Sequence, residues 1–419
     1  MKLRSQNTSN LSVVYGWLIL LIWPFGMLLL AMRNFGSKQY RFFIMLFFAF
    51  YGFTFIIKNP GVDSFRHKEQ FEEVAKQPIS ELYTILNDFI YLRGEDLDVY
   101  APLANFIVSR FTDNSAYVFA LHALVFGFFY LKCIAFLYDE FKGKINQNSM
   151  LFLIMFITLF SIHQINAVRY YTAMWIWIYG ALMLLSTKNL KYITYCLVAS
   201  LVHFGITPAT AVLLIFYFLG PRNNIYIPLV FISFIIGNFF PLDVFVKLGS
   251  SINATAERRA ESYTNLDIQA ERTEGIRQTA WFIQLRGGVL HNYLLFALAY
   301  VRYKGKEFKW DIKQEYLFSF LMLYLSFVNL VINVASLGGR MQFIFWIMTA
   351  YFFYRFFQLN STKEMKFIAI AGVFPILLWA AVEFRINTEF TNVLAVVGNP
   401  FLLLLDNTDV SLYDIIFKK

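Results

Sequence analysis

The chain has 419 residues, of which 58% are hydrophobic, 20% aromatic and 15% charged, and its net charge is +9. A soluble domain carries nearer ~25% charged residues, and one soluble core does not hide 49 Phe and 25 Tyr. The basic residues are dealt out between apolar runs instead of forming one patch, which excludes a nucleic-acid partner and fits a lipid bilayer.

In chain order, continuous apolar runs predict an all-α, polytopic integral membrane protein. Leu11–Met32 and Leu201–Gly220 contain no Asp, Glu, Lys or Arg, and a helix crossing a ~30 Å hydrocarbon layer needs about 20 apolar residues. The runs are continuous and not alternating, so helices are expected and a barrel is not. About twelve spans are expected, near 11–32, 42–57, 116–138, 150–163, 170–186, 192–204, 205–220, 225–240, 287–301, 315–335, 341–357 and 367–384, with soft boundaries. The long first run reads as a span and not as a cleaved signal peptide. Cys133 and Cys196 lie in apolar runs and suggest neither a disulfide framework nor a zinc site.

The linkers alternate in charge. One set holds Arg33, Lys38, Arg41, Lys142, Lys144, Lys188, Lys191, Arg222, a basic run over 302–313, Arg355, Lys363 and Lys366; the other short linkers hold little more than Arg169, Arg340 and Arg385. The basic set is expected on the cytoplasmic side. That orientation puts both termini outside, against the trend of Lys2, Arg4, Lys418 and Lys419. It makes one membrane domain over 1–419, with long external segments at 58–115 and 241–286. The stretch Ala254–Arg286 reads as one or two surface helices, and 391–419 as an interfacial or re-entrant piece.

With this topology all five histidines fall on the external side: His67 in the first loop, and His122, His163, His203 and His291 at or near external helix ends. Arg169 and Arg340 break the charge trend there. A charge near hydrocarbon normally has a partner, and the planar arginine fork suits phosphate. Together they suggest an anionic ligand at the lipid boundary, such as a lipid pyrophosphate. Asp63 follows Pro60-Gly61, a turn that would hold it at the membrane edge; a helix cap or an arginine partner is the plainer reading. Asp96-Leu97-Asp98 is a DxD in an acidic loop and a weak metal signal. No metal or other cofactor is expected.

Four short stretches resemble a known family: Gly61-Val62-Asp63-Ser64-Phe65-Arg66 with Phe71, Ile165-Asn166-Ala167-Val168-Arg169-Tyr170-Tyr171, Leu201-Val202-His203-Phe204, and Gly339-Arg340-Met341. Their order is similar to that of the Wzy-type polysaccharide repeat-unit polymerases, in particular the EpsG-like branch. Ser64 stands where the family often has Tyr, and Ala167 and Tyr170 stand where Gln is usual. The resemblance implies a fold like the C-type glycosyltransferases and a bacterial inner-membrane enzyme. Such an enzyme joins undecaprenyl-pyrophosphate-linked oligosaccharide units on the periplasmic face, with a chain-length regulator and a flippase as possible partners. Arg169, Arg340, Arg277 and Arg286 are expected to bind pyrophosphate, the last two from a mobile loop. His203, His163 and Asp63 are the candidates for the base, and Arg66, His67, Asn166 and Tyr170 for contacts to acceptor or sugar. A ligase shares the pyrophosphate clamp and stays open as an alternative. A flippase is disfavoured because the middles of the spans hold few charges.

Overall fold

A computed structural model describes residues 14–58, 62–91, 98–237, 280–334, 336–360, 362–404 and 409–418, with scattered positions between 239 and 261. Its elements are helical, and the described residues contain one isolated β-bridge, Asn392 to Ser411. Every apolar run predicted above carries a helix. The first is not continuous: residues 14–22 are helical, Trp23 leaves helical geometry (φ −150°, ψ 85°), and α1 runs over Pro24–Arg33. Pro24 causes the break, since it has no N–H and prefers the first turn of a new helix.

α2 (Lys38–Phe53) packs along α6 (Ala116–Glu140). The two approach closely because Gly52 and Gly127 face the partner; a Cβ on Gly52 would run into the Phe119 carbonyl, and one on Gly127 into the Phe48 ring. Small residues at such contacts are the usual means by which helices associate in lipid. Between α2 and α6 the acidic segment folds as α3 (Asp63–Ala75), α4 (Glu81–Ile90) and α5 (Tyr100–Ser109), with α3 resting on α5.

α7 (Gln147–Thr158), a 3-10 helix Ile162–Ala167 and α8 (Val168–Thr187) form one apolar stretch of 41 residues. A straight helix of that length would reach about 60 Å, twice the hydrocarbon layer. Instead the chain turns back: Asn146 donates its backbone N–H to Gln358 Oε1 (3.1 Å) at one end, and Ser186 and Thr187 return to that same end beside Asp139 and Glu140. α9 (Ile193–Val202), α10 (Thr207–Leu219) and α11 (Asn223–Gly237) follow, then α12 (Trp281–Tyr303), α13 (Ile312–Val331), α14 (Leu337–Leu359) and α15 (Lys363–Phe390). Among the described residues four stretches are long and apolar enough to cross a membrane, namely α6, Gln147–Thr187, α13 and α15.

α8 and α14 form the centre, with Trp175, Trp177, Phe352 and Phe353 fully buried. The outer helices keep large apolar side chains on the surface, including Phe231 (68% exposed) and Ile370 (71%). Exposed apolar faces of this kind suit lipid and not water, so the chain is a membrane protein. The final residues form α16 (Val393–Val397) and α17 (Leu412–Phe417), which lie against α1 and α15 respectively. The Trp23 indole donates to the Val396 carbonyl at 2.6 Å. Most of the second long segment, including Arg277, lies outside the described residues. Its end differs from expectation, because α12 begins at Trp281 and so places Arg286 in the same helix as the apolar run 287–301 and not in the loop before it.

Candidate functional site at the non-basic end of the bundle

The bend before α8 organises the site. Asn166, in the 3-10 helix, accepts the Ser64 backbone N–H through Oδ1 at 3.4 Å, which ties the start of α3 to the start of α8. One residue into α8, Arg169 lies 3.6 Å from the buried carboxylate of Asp98. His67 is sealed beneath. Burial, and then the positive charge of Arg169, lowers its pKa from 6.5 to about 4, so it is neutral at physiological pH. Asp63 and Arg66 pair with each other at the exposed edge of α3. Asp63 thus partners an arginine, as its plainer reading anticipated; it is the first residue of α3 and not its cap, which is Val62.

Tyr170 donates its hydroxyl to the Arg340 carbonyl at 2.6 Å, and the Arg340 guanidinium lies over the Tyr170 ring, 4.9 Å from its centre. Cation–π contacts of this type hold a guanidinium plane in a fixed orientation. The His203 ring meets Tyr170 edge-on at 5.6 Å. His203 leaves α9 in extended geometry and accepts the Gly205 N–H through Nδ1 at 2.9 Å, capping the following turn. That bond fixes the neutral tautomer with its proton on Nε2, a donor position.

The most deeply buried cluster lies one helix away. His163 Nδ1 is 2.9 Å from Ser161 Oγ. Its Nε2 is 3.1 Å from Glu383 Oε2, and Glu383 Oε1 is 2.8 Å from Arg286 Nη1. The Arg286 guanidinium lies 4.5 Å over the Trp379 ring. His163 is 2% exposed and Glu383 4%. The separations are those of ion pairs, yet His163 Nε2, Glu383 Oε2 and Arg286 Nη1 have no aligned hydrogen-bond partner and no contact with solvent. Tyr171 joins the two groups of residues: its hydroxyl is within electrostatic reach of Glu383, Arg340, Arg286 and Asp63.

Among the described residues, the candidates for the base, for pyrophosphate binding and for acceptor contacts therefore meet at one end of the bundle; Arg277 lies outside the described residues. Arg286 is not the mobile loop side chain expected; the second turn of α12, Glu383 and Trp379 hold it. His122 and His291 stand aside, the first against the Tyr100 hydroxyl (2.9 Å) and the second accepting the Trp346 indole N–H (3.1 Å). Arg385 turns to Glu389 (3.5 Å) and the Tyr413 ring and serves the packing of α17. Sequence reading missed Glu383. Its signal was an acid inside the last apolar run, where an ionisable group is by default functional. Among the described residues no group of three or more His, Cys, Asp or Glu side chains is placed to hold a metal.

An apolar helical bundle with arginines, histidines and a carboxylate gathered at one end is a membrane protein with a polar site at that end. A model of the EpsG family matches residues 37–393, a span that includes every residue of this cluster. The chain belongs to the EpsG family, a family of polysaccharide polymerases. No curated protein and no solved structure matches it.

Proposed function

We propose that the protein is a glycosyltransferase that polymerises undecaprenyl-pyrophosphate-linked oligosaccharide units on the outer face of the bacterial inner membrane. The observation that carries this reading is that Arg340 and Arg286, from distant stretches of sequence, gather by Tyr170 and Tyr171 at one end of an apolar bundle, with Arg169, the residue before Tyr170, paired to Asp98 at the same end. The opposite end holds Arg41, Arg302, Lys313 and Arg355, the side expected in the cytoplasm. The twelve apolar segments are read as spans on the same basis.

The chemistry follows from the charges. The sugar on the donor lipid is already activated by its diphosphate. As the anomeric C–O bond breaks, its electron pair goes to the diphosphate, and fixed guanidinium groups stabilise that developing charge. The acceptor hydroxyl, on the non-reducing end of a second lipid-linked unit, forms the new glycosidic bond and gives its proton to His163 or Asp63 as base, while His203, whose Nδ1 is engaged by the Gly205 N–H, presents Nε2–H as a donor. Asn166 and Arg66 face the acceptor, and the buried His67 and Tyr170 support that side from beneath Arg169 and Arg340. The polyprenyl chains lie against the apolar outer faces of the bundle.

The test is reconstitution with lipid-linked repeat units extracted from source cells lacking the protein. Wild type builds a ladder of products; Arg169→Ala and Arg340→Ala, folded and expressed normally, do not. Full ladders from both variants would contradict the assignment.

A further inference from the structure

Glu383 presents an electrostatic question. A carboxylate in a nearly sealed site is costly unless it is paired and hydrogen-bonded. Glu383 has two cationic or potentially cationic neighbours at contact distance, but its Oε2 accepts no aligned hydrogen bond, and neither His163 Nε2 nor Arg286 Nη1 donates one. Arg355, at the other end of the bundle, meets two carboxylates with well-aligned bonds, to Glu140 and to Asp311 Oδ2 (2.7 Å). Trp379 keeps the Arg286 guanidinium in place and Ser161 meets the His163 ring, so the Glu383 carboxylate, at ion-pair distance from both but without an aligned bond on Oε2, is the member able to change partner.

Arg286 is also the cation that the proposed function assigns to the diphosphate. Two anions compete for one guanidinium. We infer that Glu383 is a positioning residue that neutralises Arg286 in the empty protein and is handed over to His163 when the donor's diphosphate takes Arg286. This inference rests on the polymerase reading and deepens it. With the diphosphate on Arg286, the carboxylate is left with the imidazole alone. It then stabilises the imidazolium that forms when His163 Nδ1 accepts the acceptor's proton, either directly or across Ser161 Oγ, which already lies 2.9 Å away. The proton moves from the acceptor hydroxyl to His163. The acceptor oxygen bonds the anomeric carbon, and the broken bond's electron pair leaves with the diphosphate. His163 becomes an effective base only once a donor is seated.

The test compares Glu383→Gln, His163→Gln and the double variant, using extracted lipid-linked units for turnover and undecaprenyl diphosphate in detergent micelles for binding. Glu383→Gln should bind undecaprenyl diphosphate at least as tightly as wild type, because a competing anion is gone. Its turnover should fall by about 100-fold or more, as for loss of general-base assistance. His163→Gln should lose a similar factor, and the double variant should be little worse than either single one, since both act on one proton. If Glu383→Gln does not accumulate, Glu383→Asp keeps the charge but withdraws the carboxylate by one methylene. It should bind the diphosphate and lose about tenfold or more in turnover. The inference is overturned by turnover within about threefold of wild type, by losses that multiply in the double variant, or by diphosphate binding that falls in step with turnover. A wild-type protein that binds undecaprenyl diphosphate yet builds no ladder would instead overturn the polymerase reading.

Discussion

The two polar ends of the bundle solve the same problem in opposite ways. At the basic end, Arg355 is buried between Glu140 and Asp311, and the Tyr351 hydroxyl donates to Glu140 at 3.2 Å. Arg41 pairs with Asp139, and its guanidinium also lies over Phe35 and Tyr138. These charges are consumed in joining α2, α6, α13 and α14. At the other end, Arg340 lies on an aromatic face, Arg286 on Trp379, and the buried Glu383 and His163 sit at ion-pair distance without aligned bonds. An arrangement that satisfies its charges internally is structural. One that orients its cations on aromatic rings and leaves a buried carboxylate oxygen without an aligned bond is arranged for something that comes and goes.

The largest test of that contrast is removal of the Arg355 side chain. Arg355→Ala strands Glu140 in a nearly buried site and should destabilise the protein by about 3–5 kcal/mol, read as a marked fall in melting temperature in detergent. Any folded fraction should bind undecaprenyl diphosphate normally. Arg340→Ala should do the reverse. Its melting temperature changes little, while turnover falls by about 10²–10³, the scale of losing one preorganised charge donor. A large melting shift in Arg340→Ala with normal turnover in the folded fraction would erase the distinction between the ends.

His67 sharpens the contrast through pH. Its folded pKa of about 4 lies below the usual 6.5. As the pH falls through 6.5, the unfolded state takes up a proton that the folded state refuses. Stability is therefore lost between 6.5 and about 4 and is steady above and below that window. The drop in melting temperature from pH 7 to pH 5 should be smaller in His67→Gln than in wild type; an unchanged drop would mean that His67 is not held neutral beside Arg169. The smallest effect is expected from Tyr170→Phe, which removes the hydroxyl bond to the Arg340 carbonyl but keeps the ring beneath the guanidinium. It should cost about 1 kcal/mol of stability and less than tenfold in turnover. A loss as large as that of Arg340→Ala would move the emphasis from the ring to the hydroxyl.

Much of this was legible in the sequence, for physical reasons. Apolar runs without charges have few alternatives to helix, so the segments stood out. Arg169, Arg340, His163 and His203 were visible because polar groups at the edges of such runs need an explanation. Other features depend on local or tertiary detail. Pro24 announced a break at Trp23 that the length of the apolar run concealed. Arg286 looked like part of a polar loop because the preceding run, Ala254–Arg277, is largely polar, yet Trp281 and Phe282 had already begun α12. Glu383 was hidden by averaging, as one acid among apolar neighbours, and its meaning appears only when α12 and the Ser161–Ala167 bend bring Arg286 and His163 to it. The acidic first segment gave no hint that His67 would be sealed beneath Arg169, because its neighbours in sequence are charged and its burial comes from the packing of α3 on α5.

The most direct test of the central claim is the affinity of the detergent-solubilised protein for undecaprenyl diphosphate, measured by titration calorimetry across arginine variants from both ends. Arg286→Ala and Arg340→Ala should each weaken binding by about tenfold or more, the scale of a charge-assisted contact, while Arg41→Ala, whose pair lies at the basic end, should leave it unchanged. Equal weakening by all three, or a wild-type protein with no measurable affinity for the diphosphate, would contradict the account.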